Sequence, residues 1–396
     1  MLSKPSGILL LVLMVTTLAF AENPKVASPE SVGFRTIYNF HNGMDGGAIF
    51  AGLTRDRDGN LYGTTQTDDQ DHGYGTLFKL IPEKRGFSFH ILAHFTYSIG
   101  ENCMTAPVVD DAGNIYGVCS LGGSTGGGTL WEYTRSGKLK VLFNFYGSVD
   151  GYWPDDIMLI GSDLYGTTAE WGLGGGGTLW KYSLKCHIYT LLHSFANGPD
   201  GGSPGGPTID HKGILWGATL YGPNCYDCGN GTVWNYDPSS GTFTTVLDFS
   251  STGIRNPTND FVVDDQGNLF GTAFPHDGSN FGMIYELEAN NNYNPILLYT
   301  FTDKTEGWEP GQLSLDKRGN LVGTTVYGGQ YGDGTAYELV DEDGGWQEIV
   351  LHSFDGSNGT SPLDGMVSND HCRWFGTTVY GGKYGWGEVF EISGLP

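Results

Sequence analysis

Seven worn copies of one short stretch constrain this chain more than anything else in it. The clearest copy is Gly59-Asn60-Leu61-Tyr62-Gly63-Thr64-Thr65. The copies centre on Gly63, Gly117, Gly166, Gly217, Gly271, Gly323 and Gly376, at a period of roughly 50 residues. A repeat of that length with short strands inside each unit is the signature of a β-propeller. An unbroken array also argues for one large domain rather than two or three average ones in 396 residues.

Each unit reads as four strands. In the first unit these are Gly52 to Asp56, Leu61 to Gln66, Thr76 to Leu80 and Phe87 to Phe95. The turns Asp56 to Asn60, Asp110 to Asn114, Asp264 to Asn268 and Asp316 to Asn320 place glycine or asparagine where positive φ is needed. They also place an aspartate where it can bond nearby backbone amides. Third strands such as Thr129-Leu130-Trp131-Glu132-Tyr133 alternate only partly, as expected when both faces of a sheet are covered by neighbours. High glycine (64) and low charge (16%) suit many tight turns between short buried strands.

The ends of the chain predict ring closure. The last unit supplies only three strands, Leu363 to Ser368, Trp374 to Val379 and Val389 to Ile392, while Phe34 to Phe40 is a lone strand resembling the last strand of later units. Three C-terminal strands and one N-terminal strand complete a seventh blade and leave no blade face exposed. The expected fold is therefore an all-β, seven-bladed β-propeller of four-stranded antiparallel blades over residues 34–396, with 3+1 closure.

Units of the form Leu-Tyr-x-Phe, Asp-Gly-x-x-Pro, Asp-x-x-Gly-Asn-Leu-Tyr-Gly-Thr-Thr and Gly-Gly…Gly-Thr-x-Phe-x-Leu resemble the bacterial "GloVer" tandem-repeat proteins, also called choice-of-anchor repeat proteins. The resemblance covers residues 34 to 396. It implies secretion and a propeller-like array, and no particular activity. Unlike anchored members, this chain ends directly after a strand, so no C-terminal sorting tail is expected.

Residues 1–21 read as a secretory signal: Lys4, an apolar run from Gly7 to Leu18, then Ala19-Phe20-Ala21. That run is short for a membrane span and no second one follows. Residues 22–33 form a leader, and a secreted, extracellular protein is expected. The formal charge of −24 becomes −25 once Lys4 is removed, since the signal holds no acid. Such a surface disfavours nucleic acid and anionic membranes and leaves neutral glycans, cations or basic proteins as partners. A monomer is expected.

Cys103 and Cys119 lie nearly symmetrically about the turn at Asp110 to Asn114, so a bridge between them is geometrically sensible. Cys225 and Cys228 form one Cys-x-x-Cys loop; without two further ligands it reads as a small-loop disulfide rather than a zinc site. No bond is expected between Cys186 and Cys372, and no metal or cofactor motif is present.

In a propeller the fourth-to-first and second-to-third connections share one face. The first set carries Asp45, Glu101, Asp150, Asp200 and Glu306 in matching places, which reads either as a ring of carboxylates or as side chains capping their own loops. The second set holds glycine-rich loops interleaved with aromatics. Trp153 and Trp171 stand on the third blade, Trp308, Tyr327 and Tyr331 on the sixth, and Tyr380, Tyr384 and Trp386 on the seventh. Aromatic planes beside carboxylates suit sugar rings; the competing reading is that they pack between blades. Two loops break the symmetry, with Asp71 and His72 on the first blade and Asp277 beside His276 on the fifth. Either pair offers general acid/base chemistry of the lyase or glycosidase kind. Three functions follow as expectations: a platform for a glycan or other extracellular polymer, a polysaccharide-active enzyme, or a protein-interaction scaffold.

Overall fold

The computed structural model describes residues 32–68, 73–223, 230–258, 260–275, 281–342, 345–369 and 372–395. They form seven antiparallel sheets in a ring, a seven-bladed β-propeller. Blade 1 is Thr54–Arg55, Leu61–Thr64, Thr76–Glu83 and Gly86–His94, ordered from the central channel outward. In blade 7 the order is Val367–Ser368, Arg373–Thr378, Glu388–Ser393 and then Gly33–Asn39 from the other end of the chain. That last pair runs antiparallel from Gly33 opposite Ser393 to Asn39 opposite Glu388. Innermost strands are shorter than their sequence suggests. Thr54–Arg55 replaces the expected Gly52 to Asp56, and Val367–Ser368 replaces Leu363 to Ser368, because the entering chain turns sharply before it pairs.

The repeated motif has a steric explanation. Each of its seven glycines stands directly across from an aromatic residue of the third strand: Gly63 from Phe78, Gly117 from Trp131, Gly166 from Trp180 and Gly217 from Trp234. Gly271 faces Tyr285, Gly323 faces Tyr337 and Gly376 faces Phe390 in the same way. The ring lies over the glycine's Cα. A Cβ there would come within 2.2 to 2.7 Å of the aromatic side chain at every one of the seven sites. None of these glycines has a positive φ, so space rather than conformational freedom demands them.

Each covered aromatic then meets a phenylalanine from the preceding blade. Phe40 lies 5.2 Å from Phe78, Phe95 5.3 Å from Trp131 and Phe145 5.4 Å from Trp180. Phe195 lies 5.9 Å from Trp234, Phe249 5.5 Å from Tyr285, Phe301 5.5 Å from Tyr337 and Phe354 5.1 Å from Phe390. These contacts sit inside seven apolar clusters, one for each pair of neighbouring blades. The cluster joining blade 7 to blade 1 combines Phe375, Val389 and Phe40 with Leu53, Leu61 and Phe78.

Polar devices complete the blades. Asp56 Oδ1 accepts from the amides of Asp58 and Asn60 at 3.0 and 2.9 Å, while Oδ2 takes Asn60 Nδ2 and the Tyr62 hydroxyl at 2.7 and 2.9 Å. Asp110 repeats all four bonds with Ala112, Asn114 and Tyr116. This is the physical content of Asp-x-x-Gly-Asn-Leu-Tyr. Buried hydroxyl pairs tie the second strand to the third in four blades, as in Thr168–Thr178 at 2.8 Å and Thr325–Thr335 at 2.8 Å. In blade 2 the first of these threonines is replaced by Cys119, which forms a disulfide with Cys103. In blade 7 the second is Glu388; it bonds Thr36 of the closing strand at 3.2 Å, and burial pushes its pKa up to about 7.

Two substitutions test this construction by urea unfolding. Gly217→Ala, which drives a methyl group into Trp234, is expected to cost about 1–3 kcal/mol. Phe40→Ala, which empties the buried contact between the first and last blades, is expected to cost about 3–5 kcal/mol. A wild-type midpoint for Gly217→Ala would mean that the ring is not seated on that glycine.

Candidate functional site

The loops entering each blade from its neighbour share a construction. Their acidic residue turns back on its own loop. Asp45 Oδ2 accepts from the His41 amide at 3.1 Å and the Tyr38 hydroxyl at 3.0 Å. Asp200 accepts from the Ala196 amide at 3.2 Å and meets His193 at 3.0 Å, and Glu306 accepts from the Thr302 amide at 2.9 Å. Asp150 likewise accepts from the Tyr146 amide at 3.3 Å. Of the two sequence readings, loop capping describes these four acids.

A few residues further on, every blade places one non-glycine residue in the left-handed region. These are Ala48, Asn102, Trp153, Ser203, Asn256, Glu309 and Ser361, with φ between 48° and 61°. In five blades proline follows. A left-handed L-residue costs about 1–2 kcal/mol, so seven of them mark a turn that the ring geometry imposes. The turn aims the following side chains into the mouth of the central channel.

That mouth is a well of about 490 Å³. Phe50, Met104, Leu220, Phe274, Val326 and Leu363 contribute apolar wall from six blades. Four carboxylates complete it: Asp155 and Asp156 from blade 3, Asp260 from blade 5 and Asp364 from blade 7. Three glycines help to seat them. Asp364 accepts the amides of Gly52 and Gly365, the latter at 2.7 Å. The Gly206 amide favours the ionised form of Asp260, and a Cβ on Gly206 would lie 2.0 Å from Asp156 Oδ2. No lysine, arginine or histidine is among the described residues that line the well.

Each of these carboxyls is shifted upward. Asp155 reaches into the open well and stays accessible, yet protein surrounds the well on all sides. Poor solvation, helped by Asp364, raises it to about 6. For Asp156 the same cause comes first, the charges of Asp155 and Asp364 add to it, and the pKa rises to about 8. Asp260 is raised well above the carboxylate range by desolvation and then by its three acidic neighbours. Asp364 is raised by burial despite its two amide bonds. Among the described residues no three His, Cys, Asp or Glu side chains are arranged to hold a metal ion.

Around this well stand the aromatics singled out from the sequence. Trp153, Trp171, Tyr327, Tyr331, Tyr380, Tyr384 and Trp386 are between 37% and 57% exposed. They form local groups rather than one belt. Tyr384 stacks on His41 at 3.8 Å, Tyr380 meets Phe50 edge-on at 6.2 Å, and Trp386 packs over Gly47. On nearly the opposite side of the ring, Tyr152 joins Trp153 at 5.8 Å and Trp171 at 6.0 Å. Trp308 differs. It is half-buried among Phe274, Phe281 and Tyr327, with Lys304 5.5 Å above its ring. Packing therefore describes Trp308 better than the other seven.

Asp71, His72, His276, Asp277, Cys225 and Cys228 lie outside the described residues, as does the expected signal segment 1–21. Cys186 and Cys372 are exposed free thiols. His94 bonds Asp68 at 2.9 Å, His193 stacks on Phe243 at 3.6 Å and His352 on Phe34 at 3.7 Å, all between or beneath strands. The well's four aspartates carry no sequence signal, because they occupy three different offsets after the left-handed residue.

The fold and its sevenfold loop set define a closed propeller built from a single tandem repeat. The chain belongs to the Gloeobacter/Verrucomicrobia repeat family, whose profile matches residues 71–274 and 226–394. No curated protein matches it. Solved structures share its fold at low identity. An oligogalacturonate lyase in complex with manganese superposes with a TM-score of 0.57 at 14% identity, covering 93% of this chain and 92% of the other. The extracellular domain of a protein assigned as a one component system from B. thetaiotaomicron gives 0.55 at 12% identity, over 88% of this chain and 40% of that longer one. A protein assigned as a 6-phosphogluconolactonase from Bacteroides uniformis gives 0.53 at 12%, over 76% and 84%. Among the described residues no helix is long and apolar enough to cross a membrane.

The well makes stability depend on pH. Folding raises these carboxyl pKa values, so between about pH 4 and 8 the folded chain holds more protons than the unfolded one. Their contribution is present in acid and is lost as pH rises through that window. Asp156→Asn with Asp260→Asn is expected to raise Tm at pH 8 and to flatten Tm against pH relative to wild type. A double variant whose profile parallels wild type would refute the shared burial of these groups.

Proposed function

We propose that the protein is a secreted binding propeller that holds a sugar polymer across the face carrying the well and the aromatic loops. The observation that supports this reading is the set of seven exposed aromatic side chains around a carboxylate-lined well on one face. Aromatic faces take the apolar faces of sugar rings, and carboxyl oxygens take their hydroxyls. With four acids and no cation among the described residues lining the well, a neutral or amine-bearing sugar fits better than an acidic one. Tyr380 and Phe50 lead from the rim into the well, so a chain lying on blade 7 would run toward Asp364.

A second reading, polysaccharide cleavage, is favoured by the well's raised carboxyl pKa values. A carboxyl kept protonated near neutral pH can donate to a glycosidic oxygen while a neighbouring ionised one assists. The two readings separate cleanly. Under the first, retardation on affinity gels of neutral polysaccharides should fall at least fivefold for Tyr380→Ala with Trp386→Ala, with no product released. Under the second, reducing ends appear and vanish in Asp156→Asn while retardation persists. Wild-type retardation by the double aromatic variant would exclude this face as the binding surface.

A further inference from the structure

A second cleft lies at the opposite end of the blades, where blade 1 meets the sheet that joins the chain's two ends. It has a volume of about 590 Å³. The third and fourth strands of blade 1, Thr76–Glu83 and Gly86–His94, are eight and nine residues long, against five and six for the equivalent strands of blade 2. Three extra residues extend a hairpin by roughly 10 Å. The lengthened tip, with the exposed pair Lys84 and Arg85, forms one wall. Arg35 of the closing strand and Arg373 of blade 7 form the other.

The charge of this cleft opposes that of the molecule. Among the described residues its lining holds four cations (Arg35, Lys84, Arg85, Arg373) and two anions (Glu83, Glu391), a local balance of +2 in a chain of −24. Arg373 is held in place from two sides. Its Nε and Nη2 donate to the two Glu391 oxygens at 2.8 and 2.6 Å, and its guanidinium lies 5.4 Å from the Phe375 ring centre. Arg35 also donates to Glu391. Burial alone would raise Glu391, yet the two guanidiniums hold it below the usual carboxylate range. One carboxylate thus engages two arginines, whose remaining N–H groups border the cleft, and among the described residues no ion pair involves Lys84 or Arg85 at the hairpin tip. Between the walls lie Pro82 and Phe87, cross-strand partners, with Phe87 edge-on to Phe375 at 5.6 Å.

We infer that this cleft binds an acidic polysaccharide, a carboxylate-bearing sugar chain whose acid group meets the arginine and lysine walls while a ring face rests on Pro82 and Phe87. Guanidinium forks match carboxylates in geometry, and the lysine adds a mobile point charge. Two features select this ligand over other anions. An apolar strip beside the cations gives a sugar ring something to touch that inorganic phosphate lacks. A nucleic acid, charged every ~1.7 Å of its axis, would lay most of its length against an acidic surface, whereas a short uronate chain need occupy only the positive cleft.

Trigalacturonate titrated into the full mature chain by calorimetry tests this, with the neutral trisaccharide maltotriose as control. The expected result is saturable trigalacturonate binding that weakens with added salt and falls at least tenfold in Lys84→Glu with Arg85→Glu. Both residues are exposed at a hairpin tip, so an unchanged Tm should accompany the loss. Tyr380→Ala with Trp386→Ala should leave this binding intact, while the charge-reversed variant should leave retardation by neutral polysaccharides intact; failure of either site is then seen separately. No saturable binding at low salt, equal affinity in the charge-reversed variant, loss in the aromatic variant, or equal competition by inorganic phosphate or by oligo-dT would overturn the inference.

Discussion

The structure depends on one contact made seven times: an aromatic side chain placed over a glycine, with a phenylalanine of the neighbouring blade packed against it. The glycine has to be bare, because a single methyl group would occupy the space of the ring. The ring has to be large, because it spans from one sheet to the next. The phenylalanine sits where the outermost strand ends, so each blade is fastened by the residue just beyond its predecessor's last pair. Phe40 performs that task for blade 1 although it belongs to the other end of the chain's last sheet. The closing strand therefore both completes a sheet and supplies the first link of the belt.

Because the belt fixes blade against blade, the connections on the loop face are set in a ring whatever their composition. Capping acids hold four of the loops, and one left-handed residue per blade turns the chain inward. Chemistry then varies on a constant frame. Blade 3 places two aspartates in the well, blades 5 and 7 one each, and blades 1 and 4 place glycines that seat those carboxyls. Carboxyl groups crowded into one well resist ionisation together, and that crowding is what makes the well chemically distinct from the acidic outer surface. The opposite end shows the reverse arrangement, where a lengthened hairpin and the closing strand gather cations on a molecule that is otherwise strongly negative.

Much of the fold was legible before any coordinates, and for local reasons. The Asp-x-x-Gly-Asn turn announces itself because the aspartate bonds residues two, four and six positions along, all within one short window. The 3+1 arrangement is visible as a missing strand at one end and a spare at the other. The Cys103–Cys119 disulfide was readable from symmetry about a turn. The site was less legible. Sequence pattern drew attention to Asp45, Asp150, Asp200 and Glu306 because they recur, and recurrence turned out to mark loop capping. Asp155, Asp156, Asp260 and Asp364 do not recur at one offset, so nothing in the pattern separates them from forty other acids. Trp308, grouped by pattern with the loop aromatics, folds into its blade because its strand pairs with Tyr327 and brings it among Phe274 and Phe281.

Taken by itself, then, the amino-acid order determined the number of blades, their turns and the way the ring is joined, since each rests on bonds between residues near in sequence or on a simple count. Only the tertiary structure decided which acids share one well, which aromatics stand free and where the few cations gather. Those properties belong to side chains from blades that are tens to hundreds of residues apart. Their neighbours, and hence their solvation and charge, exist only once the ring has closed.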